Sequence, residues 1–278
     1  ELEREEGESG NTVVMTLDLE LQRYANQRLS DQESASAVVM DIHNGEVLAL
    51  ASHPSYDPNA FTNGISHKLW NSLVNNTYAP LSNKAVNGTY APGSTFKMCV
   101  ALAGLEAGII TPNQKFFCSG HLDLGNARFH CWKRGGHGWM NMHDSLKHSC
   151  DVYYYEISQK IGIDRIAAMA HKLGLGEETG IDLPNERSGL IPTKDWKEIQ
   201  LGKRWQGGET LIASIGQGYV LATPLQLCTM TARLASGKAV RPHLTRDHVT
   251  PEGVTSREAE EFPDLQVSRV NLARIRDG

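Results

Sequence analysis

At 278 residues and 40% hydrophobic content, the chain is long enough to bury a full core as one large domain or two small ones, and we read it as one. A formal net charge of -5 leaves no basic footprint, which excludes nucleic acid as a partner. No run of 18 apolar residues occurs, so no membrane span is expected within these residues; with neither an initiator Met nor a signal peptide, the sequence reads as an internal segment of a longer protein.

In chain order, residues 1–12 carry a run of charge and read as a solvated lead-in or linker, with a single domain from 13 to 278. Thr12 to Thr16 is a short β-rich run. Asp18 to Leu29 has the pattern of a helix capped by Asp18, with Leu21 and Tyr24 on its inner face. Two apolar runs, Ala37 to Ile42 and Glu46 to Leu50, flank Asn44-Gly45, the strongest short-range hairpin signal. Their near-continuous apolar character predicts strands covered on both faces by helices. From Tyr56 to Pro92, Asn, Pro and Ser predict a long ordered surface excursion. Asp144 to His148 and Val152 to Ile161 read as helices separated by Ser149-Cys150-Asp151. Residues 184–208 look loop-like, and Pro224 to Ala235 reads as a helix opened by Thr223 with Pro in its first turn. The predicted fold class is α/β, an antiparallel sheet packed between helices.

The chemistry concentrates in Tyr90-Ala-Pro-Gly-Ser-Thr-Phe-Lys97. Pro92-Gly93 is a turn signal, and the apolar run from Met98 to Ala103 gives a helix that Ser94 opens. Residues at i and i+3 share a helix face, so the Lys97 amine can reach the Ser94 hydroxyl. The helix N-terminus favours negative charge on a developing alkoxide or oxyanion, and burial with neighbouring positive charge can bring lysine to its neutral, basic form. Ser-x-x-Lys arises by chance roughly once in a chain of this length, and by itself it equally fits an N-cap serine beside a solvated lysine. Here it occurs once, in the context of a turn and an apolar helix. Ser149-Cys150-Asp151 is a second element, a hydroxyl and a carboxylate in a break between helices, although Asp151 also fits as the N-cap of the helix that follows.

Cys118, Cys131, His137 and Cys150 form the pattern C-x12-C-x5-H-x12-C, a thiolate and imidazole set suited to structural zinc. The spacing also admits three buried cysteines or a Cys118–Cys131 disulfide. His137 lies in Gly135-Gly136-His137-Gly138, a loop, where core packing does not account for it. Cys99 and Cys228 read as core residues.

Together, Tyr90 to Lys97, Ser149 to Asp151, Gly180-Ile-Asp-Leu-Pro184, Ser214-Ile-Gly-Gln-Gly218 with Thr223-Pro-Leu-Gln226, and Thr16-Leu-Asp-Leu-Glu-Leu-Gln22 resemble the transpeptidase domain of class B penicillin-binding proteins. The elongation-type enzymes are the nearest in pattern. The resemblance spans about Val13 to Asp277. It implies the penicillin-binding-protein and β-lactamase-like transpeptidase fold, and catalytic roles for Ser94 (nucleophile), Lys97 (general base), Ser149 (proton relay) and Asp151 (orienting group). The implied reaction is D,D-transpeptidation of peptidoglycan stem peptides through a serine acyl-enzyme, with covalent inhibition by β-lactams. The implied setting is the periplasmic face of the bacterial inner membrane, with the anchor outside this chain, within a cell-wall elongation complex that includes a glycosyltransferase. Elongation-type members also include some with a metal site in this region, which favours zinc on the Cys/His quartet.

One departure stands out. The family's third motif, Lys-Thr/Ser-Gly, is absent: Glu178-Thr179-Gly180 lacks the lysine, and Gly237-Lys238-Ala239 lacks the other two residues. We therefore expect a domain truncated before that strand and incomplete at its C-terminal end, with an unpaired sheet edge and, on its own, poor activity. The missing strand supplies an oxyanion donor of the kind worth roughly 3–4 kcal/mol. Alternatives from other classes are a β-lactam sensor domain, a class D-like β-lactamase and a catalytically silent structural member. The Gly180–Pro184 and Ser214–Gln226 segments favour the transpeptidase.

Overall fold

The computed structural model describes residues 10–62, 64–250, 253–258 and 260–278. The charged stretch 1–6 of the expected lead-in lies outside them. The chain runs β1 (Thr12–Met15), α1 (Leu19–Leu29), β2 (Ala35–Met40), β3 (Val47–His53), α2 (His67–Val74), α3 (Lys84–Asn87) and α4 (Lys97–Glu106). Four short strands follow, β4 (Phe116–Cys118), β5 (His121–Leu124), β6 (Ala127–His130) and β7 (Gly138–Met140), then α5 (Met142–Lys147), α6 (Asp151–Ile161), α7 (Ile163–Lys172), α8 (Lys194–Leu201), α9 (Gly207–Ser214) and α10 (Pro224–Ser236). The end is β8 (Thr245–Thr250), β9 (Gly253–Ser256) and α11 (Arg269–Asp277).

All strand pairings in these sheets are antiparallel, in the order β1-β8-β9, β2-β3, β4-β7 and β5-β6. The expected α/β fold is therefore present, but among the described residues the strands form four small sheets and no single wide one. The hairpin at Asn44-Gly45 forms as predicted, with Val38 opposite Leu50. Gly45 has a φ of +79°, and a Cβ there would lie 2.1 Å from the Arg241 carbonyl oxygen, so only glycine fits this turn. The outer edge of β3 is occupied: the Asp18 N–H donates to Leu48 O (2.9 Å), and the Gln22 amide exchanges two bonds with the Leu50 backbone (2.7 and 3.0 Å). Gln22 explains a correction to helix α1. Its inward face carries Leu21, Gln22, Ala25 and Leu29, whereas Tyr24 is exposed, because the side that meets β3 is set by this hydrogen bond. Asp18 caps the helix as expected, accepting from Leu21 N at 2.9 Å.

Further differences concern the stretches read as irregular. The excursion between Tyr56 and Pro92 contains α2 and α3, and residues 184–208 contain α8, capped by Thr193 and closed by Gly202 in the left-handed conformation. Both α8 signals stood in the sequence, a threonine ahead and a glycine behind, and the Pro, Gly and Trp around them obscured the period. Helix α10 has the predicted opening with a full capping box, Thr223 and Gln226 each bonding the other's backbone N–H.

The main core gathers around α4. Lys97, Cys99 and every residue from Val100 to Leu105 are buried, the mark of a central helix, and α4 meets α6, α7 and α11. Side chains such as Phe96, Leu102, Ile157 and Ile166 are fully buried, each contributing about 1.5–3 kcal/mol. A second cluster, with Val47, Val86, Ile181, Leu225 and Leu244, lies under the β2–β3 hairpin. The segment from Gly180 to Pro184 is tied to that region by Asp182, whose carboxylate oxygens accept from Leu244 N and Thr245 N, each at 2.7 Å. Burial pushes the Asp182 carboxyl up, but hydrogen bonds from Thr245 and Leu244 outweigh it and leave it below the usual carboxylate range.

Candidate active site

Ser94 lies in a single 3-10 turn, Gly93–Phe96, that runs directly into α4 at Lys97. The turn keeps serine and lysine on one side at a spacing of three residues. Two bonds from distant sequence hold the approach to it. Tyr90 and Ala222 exchange backbone bonds of 2.9 Å in both directions, and Gly93 N donates to Gly216 O at 2.9 Å. Gly216 has a φ of +69°, and a Cβ there would sit 2.2 Å from Gly93 O, so the Ser214–Gly218 segment abuts the residue before Ser94. Gln226 braces the same region, its amide donating to Glu177 O (2.7 Å) and Ser188 O (2.8 Å).

Ser94 is exposed, while Lys97 is only 1% exposed. Lys97 Nζ has four oxygens within reach: Asp151 Oδ1 at 2.6 Å, Ser149 Oγ at 2.9 Å, Ser149 O at 3.0 Å and Ser94 Oγ at 3.2 Å. An ammonium has three N–H donors, so these contacts share them. The two hydroxyls, Ser94 Oγ and Ser149 Oγ, are 2.7 Å apart. The structure thus brings all four predicted catalytic residues into one hydrogen-bonded group, although Ser149 lies 55 positions beyond Ser94. The charged partner of Lys97 is the Asp151 carboxylate, where the sequence suggested a positive neighbour.

Helix α6 begins at Asp151 with Cys150 before it, so Asp151 is not the cap its position allowed; its second oxygen accepts from Trp132 N at 2.9 Å. Ser149 adopts a φ of +51°, in the left-handed region that costs a residue with a Cβ of order 1 kcal/mol. Trp132, which the sequence reading did not single out, also reaches this loop with its indole N–H, 3.0 Å from Ser149 O and 3.1 Å from His148 O. Its only sequence signal is adjacency to Cys131.

The β4–β7 and β5–β6 ladders fold the segment between the two motifs so that the predicted quartet converges. One ligand atom from each of Cys118, Cys131, His137 and Cys150 lies within 4.8 Å of every other. His137 Nδ1 is 3.6 Å from both Cys118 Sγ and Cys131 Sγ. About 3.6 Å is also the nitrogen–sulfur edge of a tetrahedron with metal distances near 2.0 and 2.3 Å, so the donor set fits zinc in type and spacing. All five cysteines are free thiols. The Cys150 thiol, backed by the N–H groups of Lys133, Asp151 and Val152, pulls Cys131 below the usual thiol range, while the same bond and burial push Cys150 up. Cys99 is fully buried in the main core, as its reading as a core residue expects, and burial raises its thiol; Cys228 is only partly buried, at the edge of a smaller cluster, and burial raises it to about 11.

An exposed serine hydrogen-bonded to a buried lysine and a second serine is an arrangement in which an amine can activate a hydroxyl. Residues 35–278 match the model of the penicillin binding protein transpeptidase domain, and the chain belongs to that family. It is 39% identical over 274 residues to the peptidoglycan D,D-transpeptidase MrdA of Escherichia coli K12, covering 98% of this chain and 42% of that protein. Among solved structures, Pseudomonas aeruginosa PBP2 in complex with WCK 5153 superposes with a TM-score of 0.87 at 37% identity, covering 96% of this chain and 60% of that one. The complex between PBP2 and MreC from Helicobacter pylori also gives 0.87, at 34% identity, over 95% of this chain and 48% of that one. The chain therefore spans less than half the length of the MrdA it matches.

Proposed function

We propose that residues 13–278 act as the acyl-transfer domain of a peptidoglycan D,D-transpeptidase of the elongation type. The observation that carries this reading is the continuous bond path from the exposed Ser94 hydroxyl to the buried Lys97 amine, direct at 3.2 Å and through Ser149 at 2.7 and 2.9 Å. The Lys97 ammonium held by Asp151 first gives up a proton to solvent; Ser94 Oγ then attacks the carbonyl between the two terminal D-alanines of a stem peptide as its proton passes to the resulting amine. The tetrahedral intermediate collapses with cleavage of the C–N bond. The proton moves from Lys97 through Ser149 to the departing D-alanine, leaving an ester on Ser94. An amine of a second stem peptide then attacks that ester, yields its proton along the same path, and releases Ser94 with the cross-link formed. Asp151 holds Lys97 at one carboxylate oxygen throughout. A β-lactam takes the donor's place and stays attached to Ser94.

Mass spectrometry of the full-length parent treated with a fluorescent penicillin tests this: one adduct is expected, mapped to the peptide that contains Ser94. An adduct on any other residue overturns the assignment.

The quartet Cys118, Cys131, His137 and Cys150 would hold one structural zinc. With all four positions filled by protein, no coordination site is left for water, so zinc would supply rigidity and no metal-bound nucleophile. Cys150 stands between Ser149 and Asp151, which ties the metal to the catalytic loop. Protein purified without added zinc should contain close to one equivalent. Strong chelation should lower both Tm and acylation rate, and His137→Ala should bind the metal more weakly. Metal-free protein with an unchanged Tm would remove zinc from the structure.

The reading places the domain at the periplasmic face of the inner membrane, among elongation-complex proteins including a glycosyltransferase. An MreC-type partner, like the one bound by the Helicobacter pylori relative, fits that setting. Among the described residues no helix is long and apolar enough to cross a membrane.

A further inference from the structure

We propose that Trp132 is a positioning residue for acylation, holding the Ser149 peptide in its left-handed conformation through the indole N–H. The inference rests on the serine–lysine reading of the site and adds a residue to it. Three observations carry it. The first is where the indole goes. The residue is 64% exposed, so apolar burial does not explain its placement, yet its polar edge is turned onto the Ser149 and His148 carbonyls at 3.0 and 3.1 Å. A tryptophan held at the surface by its N–H is serving the acceptor it reaches.

The second observation is the state of that acceptor. Ser149 has a φ of +51°, which a serine adopts only when its surroundings over-determine it. Its carbonyl is gripped from the inside by Lys97 Nζ at 3.0 Å and from the outside by the indole. Without the outer grip the peptide can rotate toward an ordinary conformation. The Ser149 hydroxyl would then leave its position 2.7 Å from Ser94 Oγ and 2.9 Å from Lys97 Nζ.

The third is that Trp132 holds the loop twice. Its backbone N–H donates to Asp151 Oδ2 at 2.9 Å, while Asp151 Oδ1 holds Lys97, so one residue braces both members of the second motif on either side of Cys150. The ring also packs edge-on against His137, with centroids 5.4 Å apart. Residues 131 and 137 therefore set where the brace stands, and Trp132 carries that placement to the catalytic hydroxyl.

The test separates the indole N–H from everything else. In full-length protein, Trp132→Phe keeps the backbone bond to Asp151 and loses the indole donor. The acylation rate constant with a fluorescent penicillin should fall about tenfold, the worth of one well-placed hydrogen bond, while the noncovalent binding constant stays the same. Zinc content and Tm should match the wild type. Replacing Trp132 with 3-benzothienylalanine, which keeps the bicyclic shape and has sulfur in place of N–H, should give the same fall. Trp139→Phe is the control: this equally exposed tryptophan packs edge-on against Phe117, and its loss should leave the rate unchanged. Wild-type acylation in the benzothienyl variant overturns the proposal. So does a fall that only tracks lost zinc or lowered Tm, since that would make Trp132 structural. If instead Ser94→Ala still labels, the underlying reading fails, which is a distinct outcome.

Discussion

In the full-length parent, Ser94→Ala is expected to take up no fluorescent penicillin under conditions where the wild type labels stoichiometrically, while its Tm stays within a few degrees of the wild-type value. The side chain is exposed, so removing its hydroxyl opens no cavity; the bonds to Ser149 and Lys97 are all that is lost. Surface changes of this size fall within about 0.5 kcal/mol of neutral, so a fold defect cannot stand in for the chemical one. Lys97 keeps Asp151 and the Ser149 carbonyl, so the buried pair survives intact. Gel fluorescence and a thermal melt on the same samples decide the point. Labelling of the variant at the wild-type level would rule Ser94 out as nucleophile.

Lys97→Ala should have a double effect, on activity and on stability. Its amine is buried against Asp151 Oδ1 at 2.6 Å, with the two side chains 1% and 12% exposed. Removing one partner of such a pair strands the other's charge, at a cost of about 3–5 kcal/mol. Urea unfolding should register that loss, and labelling should disappear because nothing remains to take the Ser94 proton. The two effects can be separated. In the double variant Lys97→Ala with Asp151→Asn, the neutral amide still accepts from Trp132 N, so much of the stability should return while labelling stays absent. Recovery of both would make Lys97 a structural counter-ion only, and acylation of Lys97→Ala at the wild-type rate would remove it from the base role.

Much of this is legible in the sequence alone. Local signals carried the elements whose physics is local: Asn44-Gly45 for the hairpin, Thr223-Pro224 with Gln226 for the start of α10, and the apolar run after Lys97 for a buried helix. The proximity of Ser94 and Lys97 was equally accessible, since they are three residues apart and a helical turn brings such residues together whatever surrounds them. The quartet of Cys118, Cys131, His137 and Cys150 was nameable by donor type alone. Where local signals competed, reading failed. Helix α8 hid among Pro, Gly and Trp, and Tyr24 was placed inward because period alone does not say which of two half-apolar faces meets the hairpin.

What the sequence by itself determined is therefore the set of reactive groups and the short-range geometry that joins Ser94 to Lys97. Only the tertiary structure decided the partner of Lys97. The carboxylate of Asp151, 54 positions on, arrives because α4 and α6 pack together in one core, and no periodicity encodes which oxygen ends beside which amine. It also decided the conformation of Ser149, the brace from Trp132, and the contact of Gly216 with Gly93. Each depends on groups distant in sequence, brought together by packing a whole domain around α4. Such contacts leave at most a glycine or an adjacent cysteine as their trace in the chain.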